Sequence, residues 1–567
     1  MKMTAETFET NGIRVAVEGC GHGTLNAIYA SVAESCKVRG WDGVDLLIIG
    51  GDFQSCRNAS DLTVMSCPVK YRHLGDFPSY YSGDLQAPYL TIFIAGNHEA
   101  SSHLWELFYG GWVAPNIYYL GAANVLRLGP LRIAGMSGIW KGFDYNKTHH
   151  ERLPFNADDV KSFYHVREVD VRKLLLLQSQ VDVGLSHDWP RNVEDHGDSN
   201  WLFKKKPDFR TDARDGRLGN LAAKYVMDRL RPPYWFSAHM HIKFPALVKY
   251  GDEESKGKTA QAQAVSQAPP IAQPSTAGAP QETNPDEIDL DDDDDETPST
   301  VPQPVQPPAS ESNTVSDELR AQLPASFAAP PPRTRTTPGQ PVPEAITNKE
   351  VRFLALDKCL PGRHFLQLCE IQPFDPASFK EHPPLSSPPA DSASSASSAF
   401  VPRYRLQYDP EWLSITRVFH PSLTIGDRTA SPPRDLGEAE YLPLIAEERK
   451  WIDENIVSKN LLDVPFNFEQ TAPPHVPGSP EIVQEGPTEW TNPQTAAFCK
   501  LLGVKNLWDA SEEERDERLR TGPPPSADRG GGRGRGRGFG GGRGRGRGGG
   551  GRGGGGRGRG GRGRGGW

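Results

Sequence analysis

Six short apolar runs within residues 13–250 constrain this chain most: IRVAV (13–17), DLLIIGGD (45–52), YLTIFIAGNHE (89–99), LRIAGMSGI (131–139), VDVGLSHDW (181–189) and YWFSAHMHI (234–242). Nearly all are too apolar to lie half in water, which predicts strands buried on both faces. Residues 24–39 and 217–230 carry helical spacing between them, so the pattern is α/β. Several runs end in glycine and polar side chains, and open α/β sheets hold their ligands beyond the carboxyl ends of their strands.

The rest of the chain divides by composition. Residues 251–345 are rich in Ala, Gln, Pro and Ser and contain DEIDLDDDDDE (286–296). Such a segment cannot bury enough apolar surface to offset its ordering entropy and is expected to be a disordered linker. A second folded unit is predicted over 347–510, interrupted by a Ser/Pro-rich disordered insert near 378–399. In it, Leu444, Ile445, Glu448, Trp451, Ile452 and Ile456 follow helical spacing, while Asn492-Pro493 and Gly503 mark the start and stop of another helix.

The tail, 521–567, is Arg-Gly-rich. From Arg529 onward there are 12 arginines and no acid, so taking those charges from the overall −9 leaves −21 on the remainder. Arg533, Arg535, Arg537, Arg543, Arg545 and Arg547 are candidates for auxiliary, salt-sensitive RNA binding, the alternative being a solubilising tail. No run of about 18 apolar residues predicts a membrane span. Seven cysteines in 567 residues, without a signal-peptide pattern, point to a reducing compartment, cytosol or nucleus.

The candidate chemistry lies at the predicted strand ends: Cys20, His22, Asp52, Asn97, His98, His187, His239 and His241. His239 and His241, two residues apart, are expected on one face of a strand, and Cys20 and His22 share that spacing. Asp52 and Asn97 each follow glycine, which lets backbone approach a ligand closely. A structural zinc needs four ligands, usually richer in cysteine. Seven such groups with one bridging carboxylate suit two ions about 3.5–4 Å apart, a hydrolytic arrangement. A thiolate at Cys20 favours Fe²⁺ or Zn²⁺ over Mg²⁺ or Ca²⁺, with Mn²⁺ able to substitute; a buried core thiol is the alternative. Cys36, Cys56 and Cys67 have no such surroundings and are expected to be structural.

GD (51–52), GNHE (96–99), SHDW (186–189) and AHMH (238–241) resemble the calcineurin-like metallophosphoesterases, whose fold is a four-layer α/β sandwich. That superfamily normally opens with Asp-x-His, and here Cys20 takes the first position. VEGCGHG (17–23), GGDFQSCRN (50–58), YYLG (118–121), SHDWPR (186–191) and YWFSAHMHIKF (234–244) resemble the RNA lariat debranching enzymes within it. FLALDKCLP (353–361) and YDPEWL (408–413) are similar to that family's C-terminal domain.

The resemblance implies a metallophosphoesterase catalytic domain over 11–250 and a smaller C-terminal domain over 347–510. It implies one ion on Cys20, His22, Asp52 and His241, and a second on Asp52, Asn97, His187 and His239. The substrate would be the 2′–5′ phosphodiester at the branch point of intron lariat RNA. A hydroxide held between the ions would attack phosphorus while His98 protonates the leaving 2′ oxygen. Residues 137–167 fall where the family has its lariat-recognition loop, with Trp140, Lys141, Tyr145, Lys147 and Arg152 among cations and aromatics suited to phosphates and unpaired bases. A nuclear location and nuclear RNA-processing partners follow from that substrate. Another two-metal phosphoesterase, such as a protein phosphatase or DNA nuclease, is the alternative activity; an RNA-binding adaptor on a dead phosphoesterase fold would require lost ligands, and none is lost.

Overall fold

A computed structural model describes residues 12–251, 337–385 and 403–526. The aspartate run and the Arg-Gly tract with its candidate arginines lie outside the described residues, as do most of the linker and of the Ser/Pro-rich insert. Residues 337–345, assigned to the linker by composition, lie on the surface of the folded body: the buried Arg229 donates through Nη1 to the carbonyls of Gly339 (3.2 Å) and Pro341 (2.6 Å). The insert begins with a short helix, Ser378–Glu381.

The strands in chain order are β1 (Ile13–Glu18), β2 (Leu46–Ile49), β3 (Thr91–Phe93), β4 (Gly111–Ala114), β5 (Ile117–Tyr119), β6 (Ala123–Leu128) and β7 (Leu131–Met136). They continue with β8 (Val183–Ser186), β9 (Tyr234–Ser237), β10 (Phe244–Lys249), β11 (Glu350–Ala355), β12 (Leu366–Ile371) and β13 (Leu406–Tyr408). One sheet has the order β12-β1-β2-β3-β5-β4, the other β10-β11-β9-β8-β7-β6-β13. Each of the six runs predicted as strands contains one, and in all but the first the strand stops before the run does.

Alternation along each strand builds the layers. Val15, Val17, Leu46 and Ile48 meet Ile133, Val183, Leu185 and Phe236 between the sheets. The alternate residues Ala16, Leu47 and Ile49 lie under the helix Leu25–Arg39, packed on Leu25, Ile28 and Val32. On the opposite outer face, Ala134, Met136 and Trp235 pack on the helices Glu168–Leu175 and Leu221–Leu230. The result is the expected four-layer α/β sandwich. Each fully buried Val, Leu, Ile or Phe contributes roughly 1.5–3 kcal/mol, so residues on either face of these short strands hold them in register.

The C-terminal region is woven into this sandwich. β12 pairs antiparallel with β1 (Ile13 opposite Ile371), β11 lies parallel to β9, and β13 closes the second sheet against β6. Ion pairs of the buried Arg132 stitch the two regions, to the buried Asp409 at 2.8 Å and to the partly exposed Glu411 at 2.7 Å. Asn492 caps the helix Pro493–Leu502 by accepting from the Gln494 amide at 3.0 Å, and Gly503 ends it at φ 63°. Among the described residues no helix is long and apolar enough to cross a membrane.

β1, β2 and β3 run parallel in one sheet, and β8 and β9 run parallel in the other. The loops leaving their carboxyl ends carry every candidate ligand, so one end of the sandwich gathers residues from both sheets.

Candidate metal centre

These loops hold their backbones in unusual conformations. His22 (φ 41°), Asp52 (φ 48°), His239 (φ 62°) and His241 (φ 48°) all sit in the left-handed region. Non-glycine residues rarely adopt it, and the strain persists where surrounding contacts over-determine it, as at functional sites. His239 and His241 do not share a strand face as their spacing predicts. β9 ends at Ser237, and it is the repeated left-handed turn, not strand alternation, that brings both imidazoles to the site.

Cys20, His22, Asp52 and His241 each offer a ligand atom, and these atoms lie within 4.8 Å of one another. His22 Nε2 stands 3.2 Å from His241 Nε2 and 3.7 Å from Asp52 Oδ2. The other oxygen of the carboxylate, Asp52 Oδ1, faces His187 Nε2 at 3.4 Å. The His187 and His239 rings are 5.0 Å apart between centroids, and Asn97 is buried nearby. Asp52 thus stands between two groups of donors.

The two glycines that precede Asp52 and Asn97 are required by contact. A Cβ on Gly51 would lie 2.1 Å from His187 Nδ1, and one on Gly96 would lie 2.1 Å from Asp52 Oδ1.

The donor set fits divalent cations. Asn97 Oδ1 and His187 Nε2 are buried and hydrogen-bond to nothing in the protein, a cost that a cation would remove. His187 Nδ1 lies 2.8 Å from the Gly50 carbonyl, which directs Nε2 toward Asp52. Burial lowers the pKa of His22 to about 4 and of His239 to about 3, and lowers His241 as well, so their rings are neutral with lone pairs free at neutral pH. Burial and then the Asp52 charge push the Cys20 thiol up, so a thiolate there calls for a cation. Cys20 Sγ also accepts the His239 amide at 3.2 Å, joining the two groups.

His98 is buried beside the cluster, its ring 5.8 Å from that of His22, and its Nδ1 has no hydrogen-bond partner. Glu99, the last residue of GNHE and not among the expected ligands, organises the loops. Its Oε1 accepts the amides of Phe53 (2.8 Å) and Gly96 (3.0 Å), and its Oε2 that of Gln54 (2.9 Å). The signal was its place in the motif: a carboxylate unable to face solvent beside two glycine-led loops.

Comparison with known proteins agrees with this geometry. The calcineurin-like phosphoesterase family matches residues 13–243, and the "Lariat debranching enzyme, C-terminal domain" family matches 348–507. The chain is 40% identical over 515 residues to the lariat debranching enzyme of Schizosaccharomyces pombe, covering 90% of this chain and 98% of that one. It is 35% identical to the Homo sapiens enzyme of that name, across 89% of this chain and 72% of that one. For the Arabidopsis thaliana enzyme the figures are 33%, with 88% of each chain covered. The chain belongs to the lariat debranching enzyme family.

The segment expected to be the recognition loop of this debranching family is only partly open. Trp140 packs at a tilt against Tyr145 (centroids 4.8 Å apart) and lies under Arg191. Lys141 comes close enough to His239 to help depress that residue's pKa. Phe143 is exposed at 57%. Lys147 pairs with Asp144 at 2.5 Å. Arg152, expected to face substrate, instead forms a two-pronged ion pair with Glu489 (3.0 and 3.1 Å) and lies over Trp105. Arg167 is fully buried on Glu151 at 2.6 Å.

Proposed function

We propose that this chain hydrolyses the 2′–5′ phosphodiester at the branch point of excised intron lariats. The observation that carries the reading is an intact seven-ligand set at one end of the sandwich, in a chain that spans 98% of the fission-yeast lariat debranching enzyme. Cys20, His22, Asp52 and His241 would hold one divalent ion, and Asp52, Asn97, His187 and His239 a second. Ions so bound lower the pKa of a water and neutralise phosphoryl oxygens. The thiol at Cys20 favours Fe²⁺ or Zn²⁺, with Mn²⁺ as a substitute.

The protein's own groups do the rest. Water adds across the bond, leaving a 5′-phosphate on the freed intron end, and the 2′ oxygen departs with a proton from His98. Lys141 neutralises a neighbouring phosphate, and the exposed Phe143, with the partly exposed Trp140 beside it, offers an aromatic face to unpaired bases. The arginines of the tail add a sequence-independent hold on RNA. The same reading assigns the work to the nucleus, where introns are excised.

The test is incubation of the metal-loaded protein with synthetic branched RNA, linear RNA, DNA and a phosphopeptide, followed by end-group analysis. Cleavage of branched RNA alone, with a 2′-hydroxyl on the branch adenosine, is expected. Preferential cleavage of any of the other three would overturn the assignment.

A further inference from the structure

The recognition loop is held from two sides: near its start the Trp140 amide reaches Asp188 and the Trp140 ring lies under Arg191, while from Thr148 onward the loop is fastened to the C-terminal region. Its base closes on itself, with the Ile139 amide donating to Tyr164 O at 3.0 Å and the Val166 amide to Ile139 O at 3.1 Å. Inside, Arg167 ties three parts of the loop together through Asp144 O, Glu151 and Ser162 O. Outside, residues from Thr148 onward are held by the C-terminal region. Thr148 Oγ1 donates to Asp427 O (3.4 Å), His149 O accepts from the Gly426 amide (3.0 Å), and Asp159 pairs with Arg428. Asn156 Nδ2 donates to Pro524 O at 2.9 Å, just past the helix Glu512–Thr521. The stretch around Lys141, Phe143 and Asn146 makes no such attachment to the C-terminal region among the described residues.

Glu489 is the central fastening. Its buried carboxylate takes both prongs of Arg152 from the loop and, at 2.6 Å, Arg518 from that last helix. A bidentate pair whose carboxylate is buried and whose guanidinium is only partly exposed keeps more of its attraction than one at the surface. Deleting the carboxylate leaves Arg152 and Arg518 as like charges with nothing between them.

We propose that Glu489 is a positioning residue for substrate recognition: by pinning residues 148–159 to the C-terminal region it presents 140–147 to branched RNA. This rests on the lariat-debranching reading above. None of the fastening residues is a candidate metal ligand, so the effect falls on substrate binding and spares the chemical step.

The experiment uses the full chain and the variants Glu489→Gln, Glu489→Ala, Arg152→Ala and the double Arg152→Ala/Glu489→Ala. Each is assayed with branched RNA and with bis(4-nitrophenyl) phosphate, and each is exposed to trypsin. Each single variant is expected to raise KM for branched RNA about tenfold, with kcat within about twofold and the small diester cleaved as by wild type. The double variant is expected to match the worse single one, because the two residues act as a pair. Trypsin is expected to cut faster after Lys141 or Lys147 in all variants. Unchanged KM and unchanged trypsin cutting in Glu489→Gln would overturn the proposal, as would a parallel loss on both substrates. If wild type ignores branched RNA while the variants still cut faster, the function reading fails and the fastening stands.

Discussion

The backbone amide of His98 donates to Asp52 Oδ1 at 2.9 Å. The same oxygen faces His187 at 3.4 Å, while Oδ2 faces His22 at 3.7 Å. One carboxylate therefore looks toward both donor groups and also fixes the backbone of the residue following Asn97. The His98 side chain is positioned through its own main chain, independently of its ring.

That separation makes His98→Ala a clean test of the proton-donor role. Alanine keeps the amide that bonds Asp52, so metal content is expected to match wild type. Losing the imidazole should lower kcat on branched RNA by roughly 10²–10⁴-fold. A 4-nitrophenyl diester, whose leaving group needs no proton, should lose far less. Equal losses on the two substrates would remove His98 from the acid role.

Cys20→Asp restores the superfamily's usual first residue at a buried position. A carboxylate is a harder ligand than a thiolate. The variant is expected to bind less Zn²⁺ or Fe²⁺ and to gain activity with Mn²⁺ relative to wild type. Elemental analysis after expression in mixed-metal medium measures this; an unchanged metal ratio would make Cys20 a packing residue.

How much of this was legible follows from where each signal lives. Doubly buried strands announce themselves as unbroken apolar runs, so β1, β2, β3, β7, β8 and β9 could be read directly. Their ends carried the ligands, which made the site legible before its geometry. Pairings across long stretches of chain could not be read: Ile13 opposite Ile371 joins segments that local pattern treats as separate units. Strands β4 and β5 are no shorter than β2 and β3, but Pro115-Asn116 between them breaks their apolar run at a tight antiparallel turn. Arg152 read as an RNA contact because a cation beside aromatics looks alike whether it faces phosphate or Glu489. The left-handed turns at His239 and His241 left no mark in composition, since histidine carries no glycine-like signal for positive φ.

Glu99 supplies a prediction that leaves all seven ligands in place. Burial, then the Asp52 charge, raises its pKa to about 7, opposed by its three backbone amide donors. Glu99→Gln replaces one acceptor oxygen by an NH₂ group, which cannot accept from those amides. The loops of Asp52 and Asn97 then lose part of their alignment. Metal affinity is expected to fall about 10–100-fold, read by competition with a chelator, with the fold intact by circular dichroism. Wild-type affinity in Glu99→Gln would show that the amide donors align the loops without it.

His103 sets an acid limit on stability that is independent of the metal ligands. It is buried, with Nδ1 3.0 Å from the Ser55 carbonyl, and burial, then the nearby Arg57 charge, lowers its pKa from 6.5 to about 3. Between those values the unfolded chain takes up a proton that the folded chain refuses. Stability is therefore fully present above pH 6.5 and is lost as pH falls through that window. At pH 4.5 the contribution of this one group to the loss is about 1–3 kcal/mol. His103→Gln keeps a donor for Ser55 but cannot be protonated there. Urea unfolding with chelator present, at pH 7 and pH 4.5, should show a smaller drop in midpoint for His103→Gln than for wild type, because the ligand histidines titrate equally in both. Identical drops would mean that His103 is protonated in the folded chain well above the lowered value.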